Sequence, residues 1–146
     1  MSEYKKEIVR PESDDETRES RRTPGSVKYS ISQELIDDIL ANELKEIIFP
    51  VNPIYNPHLP SDVDGETRCK ILPWGEKEIK QIEIGKQHEQ GREHLIDTLL
   101  HEYYEAEIMI KQYENEYFKK LDKATRTERH KWINDQISDF FKNRRN

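Results

Sequence analysis

His101, Glu102 and Glu105 stand together in the stretch TLLHEYYEAEI, Thr98 to Ile108, and His130 stands apart near the C-terminal end. These residue types carry chemistry. Imidazole binds a metal ion or moves a proton near neutral pH, and a carboxylate activates water or orients an imidazole. Residues four apart share a helix face, so His101 and Glu105 would point the same way, with Glu102 turned between faces. Leu99, Tyr103, Ala106 and Ile110 lie on the other side, while His94 and Ile108 share the His101 side. That distribution predicts a helix buried on two sides, with His101 facing a cleft. His130 precedes Ile133 and Ile137 at helical spacing, so it belongs to the inward stripe of a C-terminal helix. The bland readings are a half-exposed His101 pairing with Glu105 on a helix surface, and a core His130 satisfied by one hydrogen bond.

The elements that must position these groups follow from apolar spacing. SISQELIDDILANELKEIIFP repeats apolar residues from Leu35 to Ile48 at helical spacing, predicting a helix capped by Ser30 or Ser32 and ended by Pro50. VNPIYNPHLPSDVDGE reads as a winding loop without regular structure. Asp62, Asp64 and Gly65 in it match part of a calcium loop whose other ligand positions are missing, so a turn is expected there. TRCKIL and IKQIEIG are expected strands joined by PWGEKE, with Trp74 folded over the hairpin end and Ile82 and Ile84 facing the core. Helical spacing returns from Gln90 to Leu121, with a break near YENEY, and Thr125 with Glu128 opens a last helix as a capping box. Tyr103, Tyr104, Tyr113 and Tyr117, like Trp74 and Trp132, are read as packing, and His58 and His88 as loop residues.

IEIGKQHEQGREHLIDTLLHEYYEA, a strand followed by a helix with a His-Glu pair, resembles the active-site helix of zincin metallopeptidases. In that family two histidines one turn apart bind zinc and a glutamate activates water. The resemblance implies a metal at His101, Glu105 and His130, with zinc as the ion and Glu102 as general base. Glu105 stands where the family has its second histidine, and His94 is the alternative third ligand. The same residues are also similar to C-terminal domains of bacterial polymorphic toxins. That likeness implies a metal-independent nuclease in which His101 and His130 share proton transfers, Glu102 or Glu105 orients an imidazole, and Arg92, Arg126 or Arg129 holds phosphate.

The chain has 146 residues, enough for one domain with a hydrophobic core. Residues 1–28 are nearly all charged or polar and are expected to be a disordered tail, leaving 29–146 as a single α+β domain: a small antiparallel hairpin or sheet packed against three helices. A net charge of -6 disfavours a broad nucleic-acid face, although a local basic groove is still open. The one cysteine excludes an internal disulfide and a four-cysteine zinc module. No apolar run is long enough for a membrane span and the start lacks a signal-peptide hydrophobic region, so the expected location is cytoplasmic. The expected function is a small soluble hydrolase, metal-assisted, with catalytic Glu102, His101 and His130. The alternatives are the toxin-like nuclease, or a non-enzymatic acidic module that binds a basic protein partner.

Overall fold

The computed structural model describes residues 6–13, 31–86 and 91–144. In chain order the elements are β1 (Lys6–Ser13), α1 (Gln33–Ala41), β2 (Ile54–Tyr55), β3 (Val63–Ile71), β4 (Lys77–Ile84), α2 (Arg92–Lys111), α3 (Glu116–Lys123) and α4 (Arg126–Arg144). The architecture is α+β, with the strands ordered β1-β3-β4-β2. β1 and β4 lie antiparallel to β3, and short β2 runs parallel to β4, which makes the sheet mixed. Of the stretch 1–28, Lys6–Ser13 forms β1, outside the domain boundary drawn at residue 29; the remainder lies outside the described residues.

Ser32 opens α1 as expected, its hydroxyl accepting the Leu35 N–H at 3.1 Å. The helix stops well before Pro50. The Asn42 side chain donates back to the Asp38 carbonyl at 2.9 Å, and the Leu44 N–H donates to the Ile39 carbonyl at 2.9 Å. This turn carries Leu44 into the core beside Ile36 and Ile39 and leaves Ile48 outside.

The loop expected between Val51 and Glu66 is instead partly sheet. Ile54 and Tyr55 pair with β4, and Val63 to Glu66 begin β3, so Asp64-Gly65 is no turn. Its backbone groups find ladder partners that local turn chemistry could not reveal. The expected β3–β4 hairpin forms, closing through Gly75 at φ 97°, in the left-handed region that favours glycine. Trp74 does not cover it: the indole is 69% exposed and donates to Glu76 Oε1 at 2.7 Å. A register shift at Arg68/Cys69 leaves Lys80 as an extra residue on β4, which lets both Ile79 and Ile82 turn inward although three residues apart.

α2 packs against the sheet and α4, and thirteen of its twenty residues are buried, which bears out two-sided burial. Four helices replace the expected three because the chain breaks after Lys111. Asn115 then caps α3, its side chain accepting the Tyr117 N–H at 2.7 Å. Thr125 and Glu128 form the expected capping box, each side chain accepting the other's backbone N–H at 3.2 Å. No described helix is long and apolar enough to cross a membrane.

Candidate functional site

The inner face of α2 is polar. His94, Asp97, Thr98, His101, Glu102 and Glu105 recur at spacings of three and four and are all buried. α4 adds His130, which its apolar neighbours Ile133 and Ile137 carry inward. The rings of His101 and His130 meet edge to face, with centroids 4.7 Å apart and planes at 75°. His101, Glu102 and Glu105 are 0% exposed and His130 2%, so His101 is enclosed rather than set in an open cleft, and the half-exposed surface pair is ruled out.

Each carboxyl group has its own environment. Glu102 Oε1 accepts a hydrogen bond from the Thr67 hydroxyl on β3 at 2.5 Å. Its other oxygen lies against Gly65, where a Cβ would come within 3.1 Å of it, so this strand glycine makes room for the carboxylate. Glu105 Oε2 lies 3.4 Å from Nε of Arg129, the residue before His130, in a contact whose side chains are 0% and 15% exposed. Among the described residues, no three His, Cys, Asp or Glu side chains converge as a ready metal cage.

His94 is drawn away from the pair. Its Nε2 lies 3.2 Å from Asp64 Oδ2, both side chains buried. Asp64 reaches α2 where the β1–β3 register skips a residue, Glu12 facing Gly65 and Ser13 facing Val63. Of the arginines proposed for phosphate, Arg129 touches the cluster; Arg92 grips Glu43 and Asp38, and Arg126 is exposed. His58 is exposed, and His88 lies outside the described residues.

Sequence reasoning missed Asp97, although its position three after His94 and four before His101 was a readable signal. Thr67, Gly65 and Asp64 had no such signal, because only β3's docking against α2 brings them to the cluster. On the far side of α2, Tyr103 donates to Glu107 Oε2 at 3.1 Å. Burial first, and then the charge of Glu107, push its hydroxyl up to about 12.

Asp64, Asp97, Glu102 and Glu105 thus bring four carboxyl groups into an enclosed stripe, with three imidazoles along it and a guanidinium at one end. Enclosed carboxylates are tolerated when hydrogen bonds, protons or cations balance them. The two imidazoles in contact are placed to pass protons between them. No protein-family model, curated protein or solved structure matches the chain.

Proposed function

We propose that the protein is a small hydrolase, metal-assisted at His101 and His130, with Glu105 as third ligand and Glu102 as the base that activates water. The observation that carries this reading is the meeting of two imidazoles from separate helices, 4.7 Å between centroids, among buried carboxyl groups. Zinc–nitrogen bonds of about 2.0–2.1 Å would hold two imidazoles on one ion with ring centres roughly 5 Å apart, close to that separation. The ion would supply Lewis acidity and offset the buried acids. Thr67 would hold Glu102 in one orientation.

A second reading is favoured by a specific observation: Glu105 lies beside Arg129, and no three donors converge as a ready cage among the described residues. In it the histidines exchange protons without metal and Arg129 stabilises negative charge on a phosphate ester.

The test is elemental analysis of protein purified without chelator, with zinc titration of wild type, His101→Ala and His130→Ala, and hydrolysis assays on peptide and phosphodiester panels. Stoichiometric metal, lost together with activity in both variants, is the expected result. Activity that survives in metal-free protein overturns the metal reading and favours the second. If both variants keep full activity, the site at His101 and His130 falls in both enzyme readings; if neither panel is turned over by the wild type, a binding module for a basic partner replaces them.

A further inference from the structure

Among the described residues, Ile48 is the most exposed large apolar side chain, at 85%. It stands between two hollows because α1 ends early. Its own side chain is part of the rim of both: one, of about 280 Å³, is otherwise walled by Phe49, Tyr103 and Ile110 and edged by Glu107 and Lys111; the other, of about 330 Å³, lies towards Leu40 and Pro53. Glu107 and Lys111 pair at 3.2 Å, with the lysine 46% exposed. An apolar patch rimmed by polar groups in this way is characteristic of an interaction surface.

We infer that two copies of the chain meet here about a two-fold axis, Ile48 of each filling the Phe49–Tyr103–Ile110 hollow of the other. An isologous contact needs a knob and its matching hole on the same patch, and this face has both. The charges are compatible with this: the rim holds one acid and one base, and a two-fold axis passing between them would set Glu107 of one copy against Lys111 of the other. The space is sufficient. About 280 Å³ is roughly nine times the ~30 Å³ that a liquid water takes up, enough for a branched aliphatic side chain.

Sedimentation equilibrium of the full chain tests this, from about 1 to 300 µM in about 0.15 M salt, which screens repulsion between copies. The expected result is a reversible dimer. Ile48→Glu, whose exposed position leaves the fold intact by circular dichroism, should weaken it about 100-fold or more, since two apolar anchors are lost and two charges are placed at the contact. Lys111→Glu should weaken it through facing carboxylates, and E107K/K111E should restore it. A wild-type chain that stays monomeric throughout, or a dimer that Ile48→Glu leaves intact, overturns the proposal. A double variant that recovers nothing overturns the two-fold arrangement.

Discussion

Gly65→Ala tests the packing that seats Glu102 under β3. A Cβ at position 65 would lie 3.1 Å from Glu102 Oε2, 3.2 Å from Glu102 Cγ and 3.1 Å from the Glu83 carbonyl oxygen. Comfortable separations are about 3.5–4.0 Å, so both neighbours must give by a few tenths of an ångström. Neither gives easily: the carbonyl belongs to β4, paired with β3, and Glu102 is held by Thr67. Gly65 has no positive φ, so the backbone admits alanine and the strain is steric alone. Overpacking of this kind costs about 1–3 kcal/mol, against about 0.4–1 kcal/mol recovered from a less flexible unfolded chain. The expected net loss is about 1–2 kcal/mol. Urea unfolding of the single variants and of the pair with Glu102→Ala completes a double-mutant cycle. Because Glu102→Ala removes two of the three close contacts, the cost of Gly65→Ala should fall by about 1 kcal/mol in that background. A Gly65→Ala protein as stable as wild type, or the same loss in both backgrounds, refutes the packing account.

Tyr103 should titrate at about 12, well after unfolded tyrosine near 10. Above pH 10 the unfolded state therefore binds fewer protons, so this contribution to stability is complete below pH 10 and is lost as pH rises through 12; Tyr103→Phe should remove that loss. Absorbance at alkaline pH and urea unfolding check it, and Tyr103 titrating near 10 would contradict it. Glu43 receives two hydrogen bonds from Arg92, at 2.6 and 2.9 Å, which hold its carboxyl below the ordinary range. Its contribution is present above that range and is lost as pH falls through the lowered value. In Arg92→Met the carboxyl should titrate normally by carbon NMR and the stability gap from wild type should narrow in acid; an unmoved Glu43 titration would end the assignment.

The α+β class, the hairpin and the helices bearing His101 and His130 were legible in the sequence because each is written locally. Apolar residues recur at the period of their element, Ser32 and the Thr125–Glu128 pair mark helix starts, and Ile82 and Ile84 alternate with polar neighbours. The inward placement of His130 was local in the same sense, set by Ile133 and Ile137. Local signals failed where a distant partner competed. The residues after α1 kept helical spacing, yet the turn at Asn42 that takes Leu44 into the core won over one more helical turn. Asp64-Gly65 carried turn chemistry, yet pairing with β4 made it strand.

The sequence by itself determined which groups could do chemistry and which face of its helix each occupies, since helical period needs no knowledge of neighbours. Only the tertiary structure decided which of them meet. It set His101 against His130, gave Glu102 to Thr67 and Glu105 to Arg129, and sent His94 to Asp64. Each pairing joins separate elements, and the crossing of elements depends on how whole faces pack rather than on the spacing within any one of them.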